Sequence, residues 1–219
     1  DYDVYAEDVD CDERTCRFTL HVRGDSARVE LGVTGMFNVN NALAAASVGL
    51  MFGLPADRIR EGLEKFEGVP MRLEISDLGG ALVISDVYNA NPASMEEALK
   101  ELLRLKKNRS VAVLGDMLEL GSYAEAAHRR LGRWMARQGV DLFIAVGPLM
   151  ALAADEFTKA GGNNFRTVND SAEARTILHE VYAPGDTILV KGSRTMCMER
   201  VVEDASGHKV PEGPVGQGG

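Results

Sequence analysis

Cysteine is scarce in this chain: three in 219 residues, at positions 11, 16 and 197. An odd number, widely split, gives neither a disulfide framework nor a zinc site, and the close pair Cys11 and Cys16 supplies too few ligands for a metal centre. Reduced thiols in a cytoplasmic protein are the expectation. Cations are short as well, with 24 lysines and arginines against 33 aspartates and glutamates and a net charge of −9. Such a balance repels a phosphate backbone, so nucleic acid is excluded as a partner, while a small anion can still be held locally by helix N-termini and a few cations. No apolar run approaches the roughly 20 residues of a membrane helix. The residues given open with no basic, apolar leader, so membrane insertion and secretion are not expected. After the first strand of the α/β part no G-x-G-x-x-G turn follows, which removes the seat for a dinucleotide pyrophosphate.

What the chain does have is 45% hydrophobic residues, enough for one large domain or one domain plus part of another. Residues 1–35 read as strands: "CRFTLHV" (16–22) and "ARVELGV" (27–33) alternate apolar and polar side chains, with "GDS" as the turn between them. These hairpin pieces show no core of their own. A small-residue helix over 38–53, stopped by Gly53, and a second helix over 55–66 with Ile59, Leu63 and Phe66 on one stripe follow. "EGVPMRLE" (67–74) reads as a linker.

Beyond it the pattern changes. Short runs rich in β-branched residues at 81–88, 110–117, 141–147, 165–168 and 186–193 are separated by helical patterns at 92–107, 122–139, 148–160, 171–182 and 194–205. Asn91 with Pro92, Ser122 with Glu125, and Asp170 with Glu173 mark helix starts. This alternation predicts an α/β fold, a doubly wound and mostly parallel sheet covered on both faces. The Gly- and Pro-rich tail, 206–219, has almost nothing to bury and reads as disordered.

In such sheets ligands bind outside the carboxyl ends of the strands. Those ends are polar here: Asp86, Tyr88 and Asn89 after the first run, Gly115 and Asp116 after the second, and Lys191, Gly192, Ser193 and Arg194 after the last. An ammonium, a glycine turn and a hydroxyl at a helix start suit an anion. Each also has a plainer role: Asn91 as a cap, Asp86 bonding turn backbone, Lys191 and Arg194 as solvated charges. Asn38 and Asn41 share one side of a helix start and could read a purine edge, or one of Asn38 and Asn40 is simply a cap. Arg72 in the linker matters only if a phosphate lies between two domains. His128 reads as a satisfied helix residue, and Met117, Met135, Met150, Met196 and Met198 as core filler. The glycosylation-type sequence Asn108-Arg109-Ser110 has no use in a cytoplasmic protein.

Five segments in order, "NVNNALAAASVGL", "VPMRLE", "SDVYNANPASMEEAL", "VLGDMLELG" and "ILVKGSRTMCMERVV", resemble the Mur ligases, from about residue 3 to 205. Within that family, "YNANP.S", "LGDM.ELG" and "KGSR...ME" resemble the branch that adds D-alanyl-D-alanine. The resemblance implies that residues 1–70 are the end of a central ATPase domain and 71–205 a Rossmann-like C-terminal domain. The reaction it implies is ATP- and Mg2+-dependent amide formation between UDP-N-acetylmuramoyl-tripeptide and D-alanyl-D-alanine through an acyl phosphate, by a monomeric enzyme. Asn38, Asn41, Arg72 and Asp86 would then face the nucleotide. Tyr88, Asn89, Asn91, Lys191, Ser193 and Arg194 would face the dipeptide. The family's G-K-T/S phosphate loop and its central-domain catalytic residues are not in this sequence, so the chain alone is expected to be inactive. Phe37 stands where the family often has histidine. Another Mur-type amino-acid ligase is the runner-up. A phospho-accepting receiver domain is disfavoured, because "FIAVG" ends on glycine where the accepting aspartate belongs, and a non-catalytic binding module describes the isolated piece alone.

Overall fold

A computed structural model describes residues 2–202; the tail read as disordered lies outside the described residues. Three antiparallel strands open the fold in the order β1 (Val4–Cys11), β2 (Cys16–Val22), β3 (Asp25–Leu31). Helices α1 (Met36–Met51) and α2 (Ala56–Glu64) pack on their apolar face. The expectation that these strands lack a core is corrected. Phe18, Leu20, Val29 and Leu31, on alternating inward positions, bury against Val39, Ala42, Ala46 and Ile59 of the two helices. The helices supply the second layer that a lone hairpin cannot. The turn also moves, since β3 already starts at Asp25 and the reversal falls on Arg23 and Gly24, both with positive φ.

The expectation of reduced thiols at positions 11 and 16 is corrected too. Cys11 and Cys16 face each other in the β1–β2 register and form a disulfide, leaving Cys197 free. Spacing is a poor guide because the residues between them form the hairpin turn.

The second unit is a six-stranded sheet in the order β4-β5-β9-β6-β7-β8, formed by β4 (Glu74–Leu78), β5 (Ala81–Asp86), β6 (Ser110–Gly115), β7 (Leu142–Val146), β8 (Phe165–Val168) and β9 (Thr187–Lys191). All pairs are parallel except β4–β5. Helices α3 (Pro92–Leu105), α4 (Ala124–Gln138) and α5 (Pro148–Lys159) cover one face with Ala112, Leu114, Phe143 and Leu189 beneath them. Helix α6 (Ser171–Val181) and the segment around Met198 and Val201 cover the other, over Val111, Val113, Ile144 and Val190. Burial on both faces is why β6, β7 and β9 read as unbroken apolar runs.

Three local expectations change. The linker pattern gives way at Glu74 to β4, a mostly exposed, half-polar strand that forms the antiparallel edge. No α-helix forms over 194–202; 3-10 turns at Arg194–Met196 and Met198–Val201 stand there, separated by Cys197 at φ 50. Ser122 does not cap α4: Gly121–Tyr123 is a 3-10 turn and Tyr123, without a side-chain cap, takes that position. Asn91 and Asp170 cap as expected, Asn91 in a reciprocal pair with Ser94.

Candidate functional site

The first β-strand of the parallel set ends on Asp86, and the last ends on Lys191, its direct partner in the parallel register. Both side chains leave the sheet at the same level, and Lys191 Nζ lies 2.6 Å from Asp86 Oδ2. Lys191 is 1% exposed. Its ammonium also donates to the carbonyl of Asn89 at 2.8 Å and lies 3.5 Å from the carbonyl of Asp86. Burial pulls the lysine below its ordinary pKa, against the pull of the Asp86 carboxylate. The chain thus spends an expensive buried charge to fasten two strand tips together.

Above this pair opens a cleft of about 630 Å³ between the two units, lined by Phe37, Asn38 and Asn41 from α1, Arg72 from the linker, Asp86, Tyr88, Asn89 and Asn91 from the β5–α3 loop, and Lys191. The linker is fastened to that loop through its backbone, because the carbonyl of Met71 accepts from the amides of Val87 (2.9 Å) and Tyr88 (3.0 Å). Met71 and Leu73 take positive φ of 66 and 49 on either side of Arg72, a conformation that costs a side-chain-bearing residue and persists only where the surroundings hold it. The result is that the Arg72 guanidinium lies 4.4 Å from the centre of the Tyr88 ring, a cation–π contact at the cleft wall.

Asn38 is not a cap. The helix begins after Gly35, and the Asn38 side-chain nitrogen Nδ2 donates to the carbonyl of Thr34 at 2.8 Å. Asn41 reaches Asn38 Oδ1 at 3.4 Å and stays exposed. Asn91 is spent on capping α3, and Asn89 Oδ1 accepts from the amide of Ala90.

Two predicted site residues stand apart from the cleft. Ser193 is buried and its hydroxyl accepts from the amide of Leu118 at 2.8 Å, while exposed Arg194 pairs with Glu199 at 2.7 Å. Gly115 and Asp116 also face inward rather than into the cleft. His128 is the satisfied core residue expected of it: Nδ1 donates to the carbonyl of Ala124 at 2.7 Å, so Nε2 accepts the amide of Met117 at 3.0 Å. Sequence reasoning missed the Arg72–Tyr88 stack and the cleft-lining Phe37. Only the aromatic at the strand tip, Tyr88, was a signal for the first.

Fold and cleft together define an α/β protein with a polar hollow between two units at the carboxyl ends of its parallel strands, where open sheets take small polar ligands. The sequence profile of a family described as "Mur ligase, glutamate ligase domain" matches residues 71–194. The UDP-N-acetylmuramoyl-tripeptide–D-alanyl-D-alanine ligase of Mycobacterium tuberculosis H37Rv is 36% identical over 224 residues, covering 92% of this chain and 44% of its own. That of Escherichia coli K12 is 36% identical over 204 residues, covering 91% and 44%. A crystal structure of MurF from Acinetobacter baumannii superposes with a TM-score of 0.80 at 32% identity, again over 91% of this chain and 44% of that one. The chain belongs to the Mur ligase family. It spans less than half the length of these relatives.

Proposed function

We propose that this chain is the rear part of an ATP-dependent ligase that joins D-alanyl-D-alanine to UDP-N-acetylmuramoyl-tripeptide. The observation that carries the reading is the cleft itself. Residues from the first unit, the linker and the tips of β5 and β9 converge on one hollow, whose two cations, Arg72 and Lys191, are matched by two carboxylates, Asp86 and Glu97. Lys191 is already paired with Asp86, so Arg72 at the cleft wall is the cation that a phosphate-bearing ligand would meet. Asn38 and Asn41 stand on the wall formed by α1, where carboxamide groups can meet a base edge. Tyr88, Asn89 and Asn91 form the opposite wall, towards an incoming amine. Ser193 and Arg194 lie outside this geometry, and the reading gives them no direct contact.

In such a reaction a carboxylate must approach a triphosphate, and the resulting acyl phosphate must be kept from water until the amine attacks. This chain supplies Arg72, fixed against Tyr88 before the charge develops, and a wall that closes the hollow. Among the described residues no group of three or more His, Cys, Asp or Glu side chains could hold a metal ion. A magnesium ion held mainly by phosphate oxygens and water needs no such cluster, and this chain's own contribution to charge stabilisation would come from Arg72 at the cleft wall. No helix of the described residues is long and apolar enough to cross a membrane. The reading places the enzyme in the cytoplasm as a monomer, beside its nucleotide, where the Cys11–Cys16 bridge would be open to reduction.

Joining this chain to the ATPase domain of a family member and measuring ADP release tests the substrate assignment. Release should require UDP-N-acetylmuramoyl-tripeptide and D-alanyl-D-alanine together; release with a different amino acid in place of the dipeptide would select another Mur-type ligase. A second expectation follows from the missing G-K-T/S loop. Titration calorimetry of the 219-residue chain with ATP should show no micromolar binding.

A further inference from the structure

We propose that Lys191 is a positioning residue that sets the Asp86–Asn91 loop, and not a ligand of the substrate. The proposal rests on reading the cleft as the ligand site, and it concerns what its buried cation does there.

An ammonium has three protons and accepts nothing. Lys191 has three oxygens to give them to, Asp86 Oδ2 at 2.6 Å, Asn89 O at 2.8 Å and Asp86 O at 3.5 Å. All three belong to the loop that carries Tyr88, Asn89 and Asn91 into the cleft. With the side chain 2% exposed, no ligand atom reaches Nζ without displacing one of these partners. The backbone under it is equally fixed. A Cβ on the next residue, Gly192, would stand 3.1 Å from the Cα of Gly115 and 2.7 Å from Met198, so the tip of β9 is wedged against β6. Asp86 is differently placed. Lys191 takes one of its oxygens, no hydrogen bond among the described residues reaches Oδ1, and the carboxylate keeps 17% of its side-chain surface exposed at the cleft. The lysine therefore holds Asp86 by one oxygen and leaves the other free for whatever enters.

Hydrogen exchange on the 219-residue chain and kinetics on the joined ligase test this separately. Lys191→Met should speed amide exchange at residues 87–91 by about tenfold or more, with β7 unchanged, because the carbonyl of Asn89 loses its donor. The double variant Lys191→Met with Asp86→Asn removes the unpaired buried charge. Its melting temperature should return towards the wild-type value while exchange at 87–91 stays fast, and it provides the readout if the single variant does not fold. In the joined ligase, Lys191→Met should lower kcat with KM for D-alanyl-D-alanine within about twofold, and Lys191→Arg should restore part of kcat. Unchanged exchange at 87–91 would overturn the proposal, as would a KM for the dipeptide raised about tenfold or more with kcat retained. If the joined protein releases no ADP with any substrate, the functional reading fails while the exchange result still decides the role of Lys191.

Discussion

Asp116 is the residue that shows most plainly how a buried charge can serve structure rather than catalysis. It follows β6, is 2% exposed, and accepts the amides of Met150 (2.6 Å) and Leu149 (3.3 Å) in the first turn of α5. Burial pushes its pKa above the ordinary 3.8, and those amides pull it back only in part. The folded state therefore holds this proton more tightly than the unfolded state does. By linkage, the contribution of Asp116 to stability is largest in acid and is lost as the pH rises from about 3.8 through the raised pKa. Asp116→Asn removes the titration. The melting temperature of the wild type minus that of Asp116→Asn should grow as the pH falls from about 7 towards 4. A difference that stays flat across this range would show that the carboxyl is not perturbed. In the sequence, Asp116 is a strand-end polar group of the sort that lines clefts. Its neighbour α5, which claims it, could not be foreseen from the strand alone.

Among the elements, the contact between α4 and α5 turns on one glycine. Gly132 lies mid-helix, where glycine ordinarily weakens a helix relative to alanine. Here a Cβ at position 132 would overlap the carbonyl oxygen of Ala153, a backbone atom that cannot step aside. Gly132→Ala should destabilise the chain by about 3 kcal/mol, the upper part of the usual overpacking range, in spite of alanine's better helix propensity. Denaturant unfolding measures it, and a variant as stable as the wild type would mean that the helices separate at little cost. Legibility follows the same physics. The parallel strands β5, β6, β7 and β9 are readable because burial on both faces leaves unbroken apolar runs. Strand β4 is not, because an edge strand with one covered residue, Leu78, carries no such signature. The stretch after Lys191 imitates a helix in composition, yet Cys197 in the left-handed region divides it into two short turns. Caps are legible where a short polar side chain meets a proline or a clear helix pattern, as at Asn91 and Asp170. They fail at Ser122, where a glycine with positive φ starts a tighter turn. For the candidate site, the strand tips give away Asp86, Tyr88, Asn89 and Lys191. The stacking of Arg72 on Tyr88, the three acceptors of Lys191 and the withdrawal of Ser193 and Arg194 depend on tertiary contacts that no local pattern encodes.

At the scale of the whole molecule, the two units have separate cores, so few contacts couple them. One is the backbone attachment of Met71 to the β5–α3 loop. Another is a clamp built on Arg104 of α3, whose guanidinium donates to Glu101 (2.6 and 2.9 Å) in its own helix. Across the boundary it also donates to the carbonyls of Cys11 and Asp12 and to the hydroxyl of Thr34. Glu101 and Thr34 are buried, at 5% and 2% exposure, while the Arg104 side chain keeps 36% of its surface exposed, so the clamp is half-buried at the boundary, its acceptors inside and its cation at the rim. Removing Arg104 alone would strand the Glu101 charge and confuse loss of coupling with the cost of an unpaired anion. Pairing Arg104→Leu with Glu101→Gln avoids this, since both charges go together. With the clamp gone, each unit should keep its own core while the boundary loosens. Differential scanning calorimetry should then show a single wild-type transition divided into two, with the smaller unit melting first. Proteolytic cleavage of the linker around residues 67–73 should quicken under native conditions, as expected when local opening there becomes cheaper. A single transition at the wild-type midpoint, with the linker as resistant as before, would place the coupling elsewhere, in the Met71 attachment. The distinction bears on the cleft, because its two walls belong to different units. Whatever sets the stiffness of that boundary also sets how readily the walls approach a ligand between them.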